Sequence, residues 1–574
     1  MKIRIICLFS LVYVASAFSQ PKDTAWKQLS LREKIGQTML MLPDRKLELE
    51  LGNGSLEAYF KRYPVSGYFM GWKLFTGIPD ADRVEYVRKS VEEYQQASYM
   101  PLIFQQDYEM GVGMQGMTPF PKEMALGATD SEEMAYNYGK SVGLECRSLG
   151  ISWVLHPVAD LNLNPLNPIA NTRSISDDPD KAIRLLSRQI KGLQDNGVAA
   201  TIKHFPGDGV DYRDQHLMTT CNSLSREKWD EYHGKVFKAL IDSGVACIMP
   251  GHITLPCYQK EKMNGHYLPA TLSEELLTGL LKKEMNFQGV IVSDAMTMAG
   301  FRGWYEDRLE GEIQSFLAGV DILLWPSYQY MDTLEARITR GEIPMERLDD
   351  AVGRVWAMKE RFGLLSPDRK LLRALTADEQ KDIKKASREI TESSITLVRD
   401  IDKKLPLSPE NDKKILLVAV TPVAKKGNDR DYTRLLNLKE EFVRKGFDVD
   451  FQRNILYENQ GWEDQSTEKY DRVIFLVARN THTPFGPLQL WDDEAQSVWA
   501  ANAMDKKKII VISLGSPYVG TEYFERVTTY INTYSNDAST HQALLKVLTG
   551  ELPFRGVSPV SLNPPLFNFN DRYR

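Results

Sequence analysis

The loop that follows Phe205 carries the densest group of reactive side chains in the sequence. Pro206, Gly207 and Gly209 exclude a helix there, and three aspartates and His216 follow within ten residues. Asp214 and His216 are two positions apart, so their side chains point the same way from an extended segment. A carboxylate beside an imidazole fixes its tautomer and stabilises its protonated form, as a general acid/base in hydrolysis requires. A surface ion pair is the alternative interpretation.

Other reactive residues stand at or just after the ends of short apolar runs. In a parallel barrel the carboxyl ends of the strands open on one mouth, where functional groups collect. We therefore expect these side chains to converge on one site, although each one alone is compatible with an ordinary exposed strand end. They are Asp107, Asp160, Lys203, His204, His252 and Asp294.

Eight apolar runs alternate with helix-length segments between about residues 35 and 360. This alternation predicts parallel strands joined by crossover helices, and a (β/α)8-like TIM barrel is the simplest closed arrangement of eight. Helical patterns are clear over Asp178–Asp195, Leu272–Met285 and Leu309–Leu317. The predicted strands are Ile35–Leu42, Val65–Trp72, Pro101–Asp107, Ile151–Leu161, Gly197–Phe205, Val245–His252, Gly289–Asp294 and Gly319–Trp325.

A second alternating unit follows a polar connecting segment and predicts an α/β/α sandwich. Its predicted helices are Thr433–Lys445 and Ser539–Thr549. Its predicted strands are Ile395–Val398, Lys414–Val420, Phe447–Phe451, Val473–Val477, Ile509–Leu514 and Thr528–Thr533. The predicted organisation is a signal peptide over 1–17, a catalytic barrel over 18–365, a linker over 366–382 and a sandwich domain over 383–574.

The N-terminus has the pattern of a secretory signal peptide. Lys2 and Arg4 precede the apolar run Ile5–Val14, and Ala15-Ser16-Ala17 supplies a cleavage site. A membrane anchor is the alternative, but the run is shorter than the ~20 residues that span a bilayer. We therefore expect an exported protein, periplasmic or secreted.

Composition excludes several classes of protein. The chain has 71 Lys and Arg against 77 Asp and Glu, so it lacks the basic excess that nucleic-acid binding requires. A hydrophobic content of 43% with 26% charged residues is typical of a globular protein. Five cysteines are too few for a disulfide scaffold, and whether any of them pair is left open, as is the oligomeric state.

Several segments together resemble glycoside hydrolase family 3, in its β-N-acetylglucosaminidase branch. The resemblance covers residues 30–360 and continues more weakly into the second unit. The segments that carry it are Lys203–Gly207 with Asp214 and His216, Gly289–Met298, Asn171–Pro179, Pro269–Ser273, Ala318–Asp321, Ser394–Val398 and Pro559–Leu562.

The resemblance implies a retaining exo-β-N-acetylhexosaminidase that releases terminal β-linked N-acetylglucosamine without a metal or cofactor. Asp294 would attack the anomeric carbon, and His216, paired with Asp214, would protonate the leaving oxygen and later deprotonate water. An imidazole titrates near neutral pH without the burial that a carboxylic acid would need. The expected setting is peptidoglycan turnover or glycan scavenging. The positions that match the family's sugar-binding residues are Asp107, Arg173, Lys203 and His204.

The sequence departs from the family pattern near the proposed site. The third strand ends Asp107-Tyr-Glu-Met-Gly111 where the family commonly has Asp-x-Glu-Gly-Gly, and Asp208 replaces the usual His after Pro-Gly. The Leu-Pro that often follows the dyad is absent at Leu217-Met-Thr-Thr220. These departures leave the nucleophile and dyad in place and bear on substrate choice. The negative charge of Asp208 is expected to disfavour an anionic muramyl substrate or to alter the titration of the dyad.

The sequence also contains patterns that are typical of other functions. Gly111-Val-Gly113-Met-Gln-Gly116 spells a dinucleotide-binding motif, but Pro119 and Pro121 prevent the helix it needs, so no nucleotide is expected. A metal-dependent hydrolase would place a cation beside Lys203, which would repel it. A β-glucosidase of the same family, a phosphorylase and a non-catalytic glycan-binding protein remain open. The second domain offers no residue to which we assign a role.

Overall fold

The computed structural model describes residues 23–422, 429–455, 468–481 and 486–562. The predicted signal peptide lies outside the described residues. Eight parallel strands form the first sheet, in the order β7-β6-β5-β4-β3-β2-β1-β8. A parallel bridge between Val292 and Ile322 joins the two edge strands, so the sheet closes. The strands are β1 Met39–Met41, β2 Gly67–Phe69, β3 Ile103–Gln106, β4 Trp153–Val154, β5 Ala199–Phe205, β6 Cys247–Pro250, β7 Val290–Ile291 and β8 Leu323–Leu324.

The predicted barrel and its eight strands are confirmed, and helices connect the strands as expected. The helix Pro179–Asp195 shows why these segments are helical. Asp178 caps its N-terminus by accepting hydrogen bonds from the first free N–H groups, and apolar residues recur on one face. The helices of this unit are Leu31–Gly36, Arg45–Leu51, Leu56–Arg62, Arg83–Ala97, Glu123–Thr129, Glu132–Ser148, Pro179–Asp195, Arg226–Trp229, Lys235–Asp242, Glu275–Glu284, Ala299–Arg302, Arg308–Ala318, Gln329–Thr339 and Met345–Arg361.

The inside of the barrel is packed with side chains. Successive residues of a strand point to opposite faces, so Ile103 and Trp153 belong to the inner cluster while Phe104 and Val154 belong to the layer under the helices. The inner cluster also includes Phe362, which follows the last barrel helix. Because the interior is filled, a site can form only at an end of the barrel. In barrels of this kind it forms where the loops after the strands meet.

The second unit is a six-stranded sheet with helices on both faces, as predicted. The strand order is β9-β14-β13-β12-β10-β11, and only the β9–β14 pair is antiparallel among the described residues of this sheet. The strands are β9 Thr396–Asp400, β10 Lys414–Val420, β11 Asp448–Arg453, β12 Arg472–Val477, β13 Ile509–Ser513 and β14 Thr529–Asn532. The helices are Arg430–Arg444, Asp493–Ala503, Val519–Glu522 and Ala538–Leu548.

The segment between the two units is partly helical. A helix over Ala377–Ser394 begins inside the predicted linker 366–382, with Thr376 and Glu379 forming a capping box. The polar composition of residues 377–382 therefore belongs to an exposed first turn and not to a loop. The domain boundaries themselves stay a prediction. Within the described part of the chain, no helix combines the length and apolarity that crossing a membrane requires.

Candidate active site

A cavity of about 750 Å³ opens at the carboxyl ends of the barrel strands. Six of the seven predicted site residues line it, and the seventh, Asp214, is buried directly behind His216. Leu155, Met249 and Leu324 form its apolar floor and belong to the inner cluster of the barrel. The predicted site residues on the cavity wall are Asp107, Arg173, Lys203, His204, His216 and Asp294.

Asp294 stands three residues after β7, on a segment that the barrel holds firmly. Ser293 donates its N–H to Ile322 and accepts the N–H of Leu324 on its hydroxyl, which fixes the turn into the cavity. Burial alone would raise the pKa of Asp294, but the charges of His204, His252 and His216 outweigh it and hold that pKa below its ordinary value. The carboxylate is therefore ionised at neutral pH, as a nucleophile must be.

The Asp214–His216 pair forms as the spacing predicts. Nδ1 of His216 lies 2.7 Å from Oδ1 of Asp214, and the same oxygen accepts the backbone N–H of His216 at 2.8 Å. The Asp214 side chain is 1% exposed and the His216 side chain 35%, so the imidazole covers the carboxylate and faces the cavity. Because Nδ1 is engaged, Nε2 is the ring nitrogen left to exchange a proton with a bound molecule.

The loop that carries the dyad folds toward the segment that carries Asp294. The carbonyl oxygen of His216 accepts the N–H of Ala299 at 3.0 Å, five residues beyond Asp294. His216 and Asp294 line the same cavity, and the imidazole contributes to lowering the pKa of Asp294. An imidazole and an ionised carboxylate can therefore face one molecule bound in this cavity.

Four charged groups form a compact cluster on another part of the wall. Nζ of Lys203 lies 2.7 Å from Glu109 and 3.1 Å from Asp107, and Arg173 donates two hydrogen bonds to Glu109, at 2.7 and 2.8 Å. Burial opposes the ionisation of Glu109, but Arg173 and Lys203 hold its pKa well below its ordinary value. Charge-assisted hydrogen bonds from such groups suit the recognition of sugar hydroxyls.

His204 is held from behind by a buried carboxylate. Asp160 accepts hydrogen bonds from the backbone N–H and from Nδ1 of His204, at 2.9 and 2.7 Å. His252 is fully buried, with its ring nitrogens beside Thr271 at 2.9 Å and the carbonyl oxygen of Ala295 at 3.3 Å. The expectation that all the strand-end residues meet in the mouth is thus wrong for Asp160 and His252, which support residues that do.

Asp208 connects the buried carboxylate of Asp160 to the loop that carries Asp214 and His216. It accepts hydrogen bonds from Asn167 at 2.7 Å and from Nε2 of Gln215 at 3.0 Å, and Gln215 lies between the two dyad residues. The backbone N–H of Asp208 donates to Asp160 at 2.7 Å. Burial, and next the charge of Asp160, raise the pKa of Asp208 to about 6. Asp208, the residue that departs from the family pattern, is therefore buried and anchors the loop by its hydrogen bond with Gln215.

This buried carboxyl predicts a pH effect on stability. The pKa of an aspartate in the unfolded chain is about 3.9, so the folded protein binds the proton of Asp208 more tightly than the unfolded chain does. The stabilisation that results from this difference is complete below about pH 4. The effect is lost as the pH rises through about 6. Between these limits the free energy of unfolding should fall by ~2 kcal/mol more in the wild type than in Asp208→Asn. Urea denaturation across this pH range, with exposed Asp180→Asn as control, measures the difference, and parallel curves for all three proteins would refute it.

The second unit braces the turn that holds Arg173. Ser176 donates a hydrogen bond to the carbonyl of Pro559 at 2.6 Å, and Asp177 accepts the N–H of Ser561 at 2.6 Å. The backbone N–H of Lys122 donates to Ser535 at 2.8 Å. The second domain therefore contacts residues that lie beside the site in the sequence or the fold. We assign it no residue in the cavity.

The glycine-rich segment after β3 is a loop at the cavity and not a nucleotide motif. Gly111, Gly113 and Gly116 have φ values of 69°, 63° and 93°, a left-handed conformation that favours glycine. No helix begins within this segment; the next one is Glu123–Thr129. In the part of the chain that the structure describes, no three His, Cys, Asp or Glu side chains are grouped as a metal site would need. The four described cysteines are all free.

Sequence reasoning missed the residues that hold the site residues in place. Glu109 stands two positions after Asp107, and its acidic side chain beside a strand end was the available signal. Gln215 carried no signal beyond its place between the dyad residues. Trp72 ends a predicted strand and lines the cavity, but an aromatic residue there reads equally well as core.

Comparison with known proteins agrees with this architecture. The family model described as "Glycosyl hydrolase family 3 N terminal domain" matches residues 30–358. The chain belongs to glycosyl hydrolase family 3, so the resemblance identified in the sequence is confirmed.

Relatives match across both units of the chain. A "Beta-N-acetylglucosaminidase/beta-glucosidase" of Cellulomonas fimi is 31% identical over 95% of this chain and 97% of its own length. The solved structure of a β-glucoside phosphorylase is 29% identical, covers 95% of both chains and has a TM-score of 0.80. A family 3 β-N-acetylglucosaminidase from Paenibacillus sp. is 28% identical, covers 93% of this chain and 99% of its own, with a TM-score of 0.75.

Proposed function

We propose that the protein is a retaining exo-β-N-acetylhexosaminidase that releases terminal β-linked N-acetylglucosamine. The observation that carries the proposal is that His216, backed by Asp214, and the ionised Asp294 open on one cavity. The apolar floor closes that cavity inside the barrel, and this shape supports binding of the end of a glycan chain and therefore exo action.

The proposed reaction has two steps. Asp294 attacks the anomeric carbon and forms a covalent glycosyl ester, while Nε2 of His216 gives its proton to the departing oxygen. Water then attacks the same carbon, His216 takes a proton from that water, and the Asp294 carboxylate leaves. Two displacements at one carbon retain the β configuration. Asp214 holds the imidazole in position and stabilises its charged form in each step.

The hexosaminide preference rests on the names of the relatives, and the charged cluster supports the binding of a terminal sugar. The names of the Cellulomonas fimi relative and of the Paenibacillus structure both include β-N-acetylglucosaminidase activity. The wall formed by Asp107, Lys203, Arg173 and His204 offers donors and acceptors for the hydroxyls of one terminal sugar. A β-glucoside preference is the alternative within the same chemistry.

Phosphorolysis is a second candidate, favoured by one observation. The acid/base residue at the cavity is an imidazole, which repels an incoming phosphate less than a carboxylate would. The solved β-glucoside phosphorylase shares the whole two-unit architecture. In that reaction phosphate, instead of water, would attack the glycosyl ester and form a sugar 1-phosphate.

A panel of aryl glycosides tests the proposal. We expect the N-acetylglucosaminide to be cleaved with the highest kcat/KM, above the N-acetylgalactosaminide, glucoside and xyloside. The first sugar released, observed by NMR, should be the β anomer. Adding phosphate should neither raise the rate nor produce a sugar 1-phosphate. A preference for the glucoside, or a phosphate-dependent product, would replace the proposed activity by the corresponding alternative.

We also propose that the protein is exported and acts in peptidoglycan turnover or glycan scavenging. The support is the charged, apolar and small-residue order of residues 1–17. Expression of the full chain in a bacterial host, followed by N-terminal sequencing of the protein from the periplasm or medium, should give a mature chain beginning near Phe18. An unprocessed chain retained in the cytoplasm would contradict export.

A further inference from the structure

A second cavity, of about 460 Å³, lies outside the active site. Residues of the helices Arg83–Ala97 and Glu132–Ser148, of the loop 116–118 and of the segment 372–384 line it. None of these described residues also lines the active-site cavity. The volume is typical of a site for a small molecule. The cavity is therefore a candidate site for a ligand other than the glycoside.

Hydrogen bonds join the walls of this second cavity to one another. Thr118, on the loop, donates its backbone N–H to Glu145 at 2.9 Å. Nε of Arg88, on the first helix, donates to the carbonyl oxygen of Ser148 at 3.1 Å. Two further hydrogen bonds hold the segment 372–384 and the helix that follows it, from Arg373 to Arg147 at 3.0 Å and from Ser387 to Pro119 at 2.6 Å. The lining residues therefore belong to one connected structure.

Glu145 brings an unpaired carboxylate oxygen to this cavity. The residue is 2% exposed, and its Oε1 accepts the N–H of Thr118. Its Oε2 is buried and has no hydrogen-bond partner among the described residues. A buried acceptor without a donor is unfavourable, and burial accordingly raises the pKa of Glu145. An ammonium group on a ligand would supply the missing donor and stabilise the ionised carboxylate.

Cationic and apolar side chains line the same cavity. Nη1 of Arg88 is 4.0 Å from its carboxylate neighbour Glu85, so this guanidinium is only weakly paired. Lys384 is exposed and also lines the cavity. Two such cations suit the binding of a carboxylate. The apolar lining residues are Val84, Met117, Leu372 and Leu375.

We propose that this second cavity binds a free α-amino acid with an apolar side chain. The ammonium group of the ligand would donate to Oε2 of Glu145, and its carboxylate would accept from Arg88 and Lys384. Its side chain would pack on the apolar lining residues. Each of these features alone is common in proteins, but together they match the groups that such a molecule carries. The proposal does not depend on the proposed glycosidase function.

Calorimetry with L-leucine tests the proposal. We expect the wild-type protein to bind L-leucine at millimolar concentrations or below. Glycine lacks the side chain, leucinamide lacks the carboxylate and 4-methylpentanoate lacks the ammonium group. Each of the three should bind at least about tenfold more weakly than L-leucine. No binding of L-leucine at about 10 mM, or equal binding of all four compounds, would overturn the proposal.

Variants locate the binding at this cavity. Glu145→Gln keeps an oxygen for the N–H of Thr118 but removes the charge, and Lys384→Met removes an exposed cation. Each should weaken the binding of L-leucine roughly tenfold. Lys385→Met, which changes the next exposed lysine of the same helix, is the matched control and should bind normally.

Asp294→Ala provides a second control, because its cavity shares no described lining residue with this one. It should bind L-leucine as tightly as the wild type does, and a loss there would place the ligand in the active site and overturn the proposal. Unchanged affinity in Lys384→Met would also contradict it. If Glu145→Gln fails to fold, Lys384→Met and leucinamide decide the question.

Discussion

Asp294→Ala should lower kcat for an activated aryl glycoside by at least about 10⁴-fold, the largest effect that we predict. Removing the nucleophile eliminates the covalent step, and residual catalysis from binding alone is far slower. The fold should survive, because Asp294 accepts only the N–H of its neighbour Ala295 among its described hydrogen bonds. Asp332→Asn, which neutralises an exposed carboxylate on an outer helix, is the matched control and should be fully active.

Azide distinguishes loss of the nucleophile from general damage to the site. In Asp294→Ala, azide can enter the space left by the carboxylate and attack the anomeric carbon as the aryl group departs. One displacement inverts the centre, so the product should be the α-glycosyl azide. Activity of the variant near that of the wild type would refute the assignment of Asp294. A rate increase with azide that gives only the β product would place the nucleophile elsewhere.

The sequence predicted the barrel well because its strands are buried on both faces. Such strands appear as continuous apolar runs, and all eight runs contain one observed strand. The strands are shorter than the runs, since much of each run continues as buried loop. The strand β7, for example, covers Val290–Ile291 within the predicted Gly289–Asp294. Apolar runs measure burial and do not show where the hydrogen-bond ladder ends.

The meeting of Asp107, Lys203, His204 and Asp294 in one cavity also followed from the sequence. Parallel strands of a closed barrel bring their carboxyl ends to the same side, so position along the strand suffices. The sequence does not show that the dyad loop folds inward. The structure shows this through the hydrogen bond between His216 and Ala299, which no residue spacing encodes.

The supporting layer could not be predicted, because its contacts join distant parts of the chain. Glu109 pairs with Lys203, which lies in β5, and with Arg173, which lies in the connection after β4. Asp208 bonds Gln215 while its own N–H is held by Asp160. Each partner has several alternatives in the sequence, and only the packed structure selects among them.

His216→Ala is expected to separate substrates by the quality of their leaving groups. A disaccharide must receive a proton on its departing oxygen, so its kcat/KM should fall about 10²–10⁴-fold. A dinitrophenyl glycoside departs without help, so kcat/KM for that substrate should change far less. The kcat of the variant for the dinitrophenyl glycoside should still fall, because in the second step water attacks the glycosyl ester without a general base. A rapid release of dinitrophenol before a slow steady state would show that intermediate accumulating.

Azide gives the opposite stereochemistry in this variant. It needs no base, so it should attack the glycosyl ester on Asp294, raise the steady-state rate and yield the β-glycosyl azide. Asp214→Asn keeps the imidazole but loses the carboxylate 2.7 Å from Nδ1, and should give an intermediate loss on the disaccharide. His266→Ala, which removes an exposed histidine from the hairpin of Lys262–Met263 and His266–Tyr267, is the control.

The two azide products together define the geometry of the site. An α product from the Asp294 variant and a β product from the His216 variant require the two side chains to act on opposite faces of one anomeric centre. A merely structural role for His216 would slow both substrates equally and give no rescue by azide. Equal losses would therefore remove His216 from the mechanism.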